Sequence, residues 1–333
     1  MSTGPGHEQT LRAAEEWFGR HGLTYFVPEE RAAAARALRL RRTLPLFAGV
    51  VLALVVAVVL LAVFADVISM VPALVISLLL VVAVWYGLTA VRARRIVTWA
   101  LARTADSLRA VLPMTTRALP LLLLFVAFLF INTEVWQVCA TIGVGDLWLA
   151  VLLFVLLAAG FLWARLPDEV DRATGRLAAG RVREVCAETP LAEAARSLEE
   201  SRLGAAAPVR GFERTNLVLV LLVTQMAQVV LLSVAVFCFL MVFGALVISP
   251  EVTDSWLGSG QAHRIFGWDR LTRELVSVSV FLASFSGLYL TVSTVTDQTY
   301  RGQFFGSVTA ELERAVGVRA VYLALRAGSS ATA

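Results

Sequence analysis

Glu134 is the one carboxylate inside a long apolar run of this 333-residue chain. Thr133, Gln137 and Thr141 follow or precede it at i, i+3 and i+4 spacings, which place all four on one side of a helix. A carboxylate beside a hydroxyl and an amide can ligate a cation or hold a polar solute. An acid left unpaired in hydrocarbon costs several kcal/mol, so an intramembrane Glu reads first as a functional group. Depth argues the other way. Counted from Leu119, Glu134 lies ~22 Å along a helix rising 1.5 Å per residue, nearer one surface than the midplane, and Trp136 suits an interfacial belt. The second reading is therefore an interfacial carboxylate paired with Arg270 or Arg273, and the depth favours it. Asn132-Thr133-Glu134 could break the helix, as in transporters whose broken helices line a cavity. Leu119–Ile131 would then be too short to span alone, so the expectation is one continuous helix over Leu119–Thr141.

Two further groups could contact a solute. Gln225 and Gln228, beside Thr224, are i, i+3 neighbours ~12–17 Å in from Leu217, near a midplane. They either hydrogen-bond between helices or line a wet path. Ser277, Ser284, Gly287, Thr291 and Thr294 share one helical face. Such a stripe of small residues lets helices pack closely, or lines a pore with weak hydroxyl ligands.

Other chemistry is missing. All 29 basic residues are Arg. Without Lys there is no P-loop phosphate ligand, no Schiff base and no kinase-type Lys. His7, His21 and His263 are scattered outside the apolar runs, and there is no HExxH, CxxC or nucleotide-binding glycine loop. The residues predict no enzyme, no cofactor and no metal site. Three cysteines make no disulfide framework. Cys139 and Cys238 would lie near the same membrane face, so a bridge between them is open, although isolated helical Cys more often fill space.

What must position these residues is a set of six apolar stretches: Leu44–Ala65, Pro72–Val91, Leu119–Thr141, Leu147–Trp163, Leu217–Ile248 and Leu275–Val295. About 20 apolar residues cross a ~30 Å hydrocarbon core. The chain is 58% hydrophobic, above the 45–50% of an average soluble domain. The predicted fold class is all-α: a polytopic membrane protein with six transmembrane helices in three hairpins and amphipathic cytoplasmic helices. Seven Arg precede the first stretch, six lie between the second and third, nine between the fourth and fifth, and four follow the sixth. Cytoplasmic loops carry the Arg excess. Both termini are therefore expected in the cytoplasm, with a cell (plasma) membrane location and outer loops at 66–71, 142–146 and 249–274. The polar first 43 residues do not resemble a signal peptide.

The domain reading follows. Residues 1–43 form a cytoplasmic helical arm, with one helix over His7–Arg20 and a second started by Pro28. Residues 44–163 hold four transmembrane helices and an amphipathic inner-surface segment, 92–117. Residues 164–216 form a helical hairpin, with helices over Asp168–Ala187 and from an N-cap at Thr189 to Gly204. Residues 217–295 hold the last two spans and the outer loop 249–274. Residues 296–333 form an amphipathic tail that either lies on the membrane or packs on the 164–216 helices. The partners expected are the lipid bilayer, a second copy of the chain, and a cytoplasmic protein at 164–216, with no nucleic acid.

Pro120–Val138 (PLLLLFVAFLFINTEVWQV) and Thr296–Leu325, with TDQTYRGQFF and VRAVYLAL, together with the all-Arg composition, resemble multi-pass integral membrane proteins of actinobacteria. That group has no established activity, so the resemblance implies a plasma-membrane protein and assigns no site residue. The first functional expectation is a channel or transporter-like route for a small solute or ion, bounded by Thr133, Glu134 and Gln137, by Gln225 and Gln228, and by Ser284 and Thr291. The alternative is a non-transporting scaffold or sensor that acts through its cytoplasmic helices.

Overall fold

The computed structural model describes residues 5–37, 118–175, 179–199, 209–257, 262–265, 267–296 and 298–330, plus the isolated positions 49, 52, 56, 75 and 203. The first two expected spans, the inner-surface segment 92–117 and the Gly/Ser run at 258–260 lie outside the described residues. The described part is mostly helical. Its elements, numbered over those residues, are α1 (Pro5–Arg20), a 3-10 turn (Thr24–Phe26), α2 (Pro28–Ala37), α3 (Ala118–Phe130), α4 (Thr133–Thr141), α5 (Val144–Gly175), α6 (Ala179–Val185), α7 (Ala192–Ser197), α8 (Phe212–Val247), α9 (Pro250–Leu257), β1 (Arg264–Ile265), β2 (Trp268–Thr272), α10 (Arg273–Thr296) and α11 (Gln298–Ser330).

Three of these helices, α5, α8 and α10, are long and apolar enough to cross a membrane, and α3 with α4 makes a bent fourth candidate. They correspond to the last four predicted stretches. Half of the most apolar window of α10 is buried, against 17% for α5 and 22% for α8, so α10 is the central helix. Its small residues explain this. At Gly287 a Cβ would collide with Ser233 Oγ and fall 3.1 Å from Val229 Cγ1; at Gly244 of α8 it would fall 2.5 Å from Leu275 Cδ1 and 2.9 Å from Phe130 Cζ. Missing side chains let α8 and α10 approach at both places, as small residues do between membrane helices. Many exposed residues of the bundle are large and apolar, among them Leu124, Phe128, Trp148, Leu153, Val242 and Leu246.

The stretch Leu119–Thr141 is not one helix, as the sequence suggested. It breaks between Phe130 and Thr133 with a 69° bend. Asn132 leaves helical geometry at φ −80°, ψ 117°, and its side-chain oxygen accepts from the Glu134 N–H at 2.8 Å, so it caps α4. Trp136, 1% exposed, donates from Nε1 to the Phe130 carbonyl at 2.7 Å, which satisfies an acceptor at the end of α3. Part of the expected outer loop after α8 folds into regular elements. It contains α9 and an antiparallel β1–β2 hairpin, and Arg270 donates to the carbonyls of Ala245 and Leu246 at the end of α8 at 3.0 and 3.2 Å.

Beyond the bundle, a polar lobe shares one core. It joins Ala14, Phe18 and Phe26 from the N-terminal arm, Leu162, Leu166 and Val170 from α5, Val182 and Leu191 from 164–216, Leu217 and Leu221 from α8, and Val316 and Tyr322 from α11. The tail therefore packs on the 164–216 helices, one of its two expected placements, and the N-terminal arm joins them. The helices inside 164–216 differ from the expectation. α5 continues unbroken past Pro167 to Gly175, and α6 is short. The following helix covers only Ala192–Ser197. Leu191, not Thr189, stands at its N-cap; the Thr189 hydroxyl donates to the Cys186 carbonyl at 2.7 Å and accepts from the Leu191 N–H at 3.4 Å, two residues upstream of the expected register.

Candidate functional site

The proposed solute-path residues do not converge. Glu134 and Gln137 stand on α4 at the hairpin end of the bundle, and both are exposed. Gln137 Nε2 donates to the Trp256 carbonyl at 3.2 Å, tying α4 to α9. The expected pairings of Glu134 are not made: Arg270 caps α8, Arg273 opens α10, and among the described residues no cation pairs with Glu134. Thr133 is the first residue of α4. On α10, Ser284 and Thr291 donate to the carbonyls four residues back, Val280 at 2.8 Å and Gly287 at 2.9 Å. Thr291 is 1% exposed and Gly287 lies against Ser233 and Val229, so the stripe packs helices at these two positions, while Ser284 and Gly287 also line a cavity. Cys139 and Cys238 are both free, the first buried and the second exposed.

Gln225 and Gln228 keep their interest. Gln225 is 3% exposed. Its Nε2, and Oε1 of Gln228, are buried without a hydrogen-bond partner among the described residues. Their depth differs from the estimate made from Leu217. Leu217, Val218, Val220 and Leu221 belong to the lobe core, which moves the amides toward the lobe end of the bundle.

Cavities among the described residues beside α8 include two of a size to hold a ligand. One, of about 390 Å³, opens between α5, α8 and α10 and is apolar but for Ser233 and Ser284. The other, of about 230 Å³, lies between α1, α8 and α11 and mixes Trp17, Leu217 and Leu221 with His21, Glu311 and Arg314. The His21 ring stacks on Trp17 at 3.9 Å, and its Nδ1 hydrogen-bonds the Trp17 carbonyl at 2.8 Å.

The densest polar chemistry was not foreseen. Glu213, 3% exposed, opens α8 and joins two arginines from distant segments. Arg31 of α2 donates to its Oε1 at 2.7 Å. Arg319 of α11, 6% exposed, donates to its Oε2 from Nε at 2.9 Å and from Nη2 at 2.6 Å. One residue on, Arg214 makes a two-pronged contact with Asp171 of α5 at 3.0 and 2.8 Å. Asn216 Nδ2 donates to the carbonyl of Gly22 at 3.2 Å. Gly22 sits at φ 71°, a left-handed turn that glycine adopts without strain and that ends α1. Tyr322 donates to Glu15 at 2.8 Å and accepts from Arg326 at 3.1 Å. Burial pushes the Tyr322 hydroxyl up to about 12, helped by the Glu15 carboxylate. Burial likewise raises Tyr25 to about 12 and the Cys186 thiol to about 11. One signal in the sequence did mark this network: Arg319 interrupts the apolar run Val316–Leu325.

No family model matches the chain, and neither a curated protein nor a solved structure is significantly similar to it. The functional reading rests on the geometry alone.

Proposed function

We propose that the protein is a non-transporting membrane scaffold or sensor that acts through a cytoplasmic lobe. The observation that carries this reading is the continuity of α5 and α8. α5 runs 32 residues and α8 runs 36, roughly 48 and 54 Å at 1.5 Å per residue. Each exceeds a ~30 Å hydrocarbon core and carries the excess into the lobe. There it shares a core with both chain termini. A shift of the bundle is thus passed to the lobe through packed helices that continue from one to the other. The Arg excess in the lobe segments supports a cytoplasmic side for them; in this reading the exposed apolar residues of the bundle face lipid, and the lobe is the part offered to a partner protein. A second copy of the chain could dock on the same apolar faces.

One observation favours a solute path instead: the unpartnered Gln225 Nε2 and Gln228 Oε1. Flux through purified protein in liposomes separates the two. The scaffold reading expects no current for monovalent cations, chloride or protons over a range of voltages. A current that Gln228→Leu or Glu134→Gln alters in size or selectivity establishes the conducting route.

A further inference from the structure

The cavity between α5, α8 and α10 is a straight slot. It runs from Trp148 to Ala158 on α5, from Met226 to Phe237 on α8 and from Val280 to Leu288 on α10, at i, i+3 and i+4 spacing on each. α5 and α8 run antiparallel, registered by Asp171 against Arg214. At equal rise per residue Trp148 stands level with Phe237, and Ala158 with Ala227. The limits of the slot therefore coincide on the two helices, and it lies parallel to both.

Depth follows from the charges. Asp146 and Arg165 bracket 18 uncharged residues of α5, about 27 Å at 1.5 Å per residue, close to a ~30 Å hydrocarbon core. The slot starts two residues inside Asp146, at Trp148, an interfacial residue type. It ends ~15 Å deeper, at Ala158. It thus spans one leaflet, the one away from the lobe.

Its walls and floor differ. Trp148, Val155, Val230 and Val234 form open walls, 37–56% exposed. The floor is made of short residues, Ala283, Ser284 and Gly287 among them. No charged residue lines the slot, and Ser284 already donates to the Val280 carbonyl at 2.8 Å. A polar headgroup would find no counter-charge there. Width excludes a helix. About 390 Å³ over ~15 Å gives a section of about 26 Å². A helix 10–12 Å across has a section of ~80–110 Å².

We infer that the slot binds one acyl chain of a membrane lipid from the leaflet away from the lobe, with the chain's polar end at Trp148 and its length against Val155, Val230 and Val234. The inference rests on the bilayer placement of α5, α8 and α10.

The test is photolabelling of the full-length protein with phosphatidylcholine that carries a diazirine on one acyl chain, read by peptide mass spectrometry. In liposomes, label on Leu153 and Leu156, exposed on α5 outside the slot, reports that the helices lie in the bilayer. No label there overturns that placement and the inference with it. When the protein is extracted into detergent and diluted repeatedly before irradiation, label on Leu153 and Leu156 should be lost and label on residues 280–288 should persist. Lysophosphatidylcholine, with one chain, should displace the retained lipid, and glycerophosphocholine, with none, should not. Ser284→Phe fills the slot and should lose the retained label. If it lowers the thermal midpoint, Val234→Phe decides, because Val234 is 51% exposed. Slot label that washes out together with that of Leu153, or that both variants keep at the wild-type level, overturns the site. Displacement by glycerophosphocholine overturns the chain assignment. Label on Leu153 without label in the slot in liposomes means that a protein segment covers it, and overturns the inference too.

Discussion

Arg319 donates two hydrogen bonds to one carboxylate oxygen of Glu213, at 2.9 and 2.6 Å, across 106 residues of chain. Arg31 takes the other oxygen from the opposite end of the sequence. A single buried acid at the start of α8 thus ties the N-terminal arm and the C-terminal tail to a helix that runs through the bundle.

Glu213→Gln leaves a buried guanidinium without its counter-charge, and removing one partner of a buried pair costs about 3–5 kcal/mol. Arg319→Met should cost less, because Glu213 keeps Arg31. Arg31→Met should cost least, since its side chain is 35% exposed and screened by solvent. Thermal unfolding in detergent should rank the three in that order.

The close approach of α8 and α10 makes Gly287 sensitive to size. Gly287→Leu forces a side chain into Ser233 and Val229 and should destabilise by about 1–3 kcal/mol, as overpacking does. Gly160→Leu is the control: a Cβ there meets nothing within 4 Å. Equal melting midpoints for the two variants would show that the helices do not pack as described.

The bend in the third apolar stretch depends on two side chains. Asn132→Ala should cost about 0.5–2 kcal/mol through loss of the α4 cap. Trp136→Phe keeps the ring but leaves the Phe130 carbonyl unpaired, for about 1–3 kcal/mol. Urea unfolding followed by tryptophan fluorescence can read Asn132→Ala, and circular dichroism both.

Alkaline pH should loosen the lobe before the bundle. Tyr25 and Tyr322 are raised from 10.0 to about 12, and Cys186 from 9.0 to about 11, each chiefly by burial. A raised pKa means that the folded state holds its proton longer than the unfolded chain. Stability from these groups is complete below their unfolded values and is lost as pH rises through the folded ones. Melting midpoints should therefore fall between about pH 9 and 12, and Tyr322→Phe should flatten part of that fall while losing the bond to Glu15.

The sequence disclosed the bundle more fully than the site. Four apolar stretches became three long helices and one bent pair because burial of leucine and valine needs only composition and length. The bend at Asn132 was visible as a run of capping residues, but length argued for one helix; the deciding bond, Trp136 to Phe130, depends on a turn that only the folded chain makes. The Glu213–Arg319 pair joins segments with no shared pattern, so local spacing could not reveal it. The amides of Gln225 and Gln228 were found, yet their depth was not, because Leu217 looks like the start of a span and is in fact part of the lobe core.

The most direct measurement is hydrogen–deuterium exchange of the full chain in lipid nanodiscs, wild type beside Glu213→Gln. If the lobe is one unit fixed to α8, exchange should rise together in residues 14–26, in 181–198 and in 312–324. A rise confined to the first turns of α8, with the two termini still protected, would contradict the account.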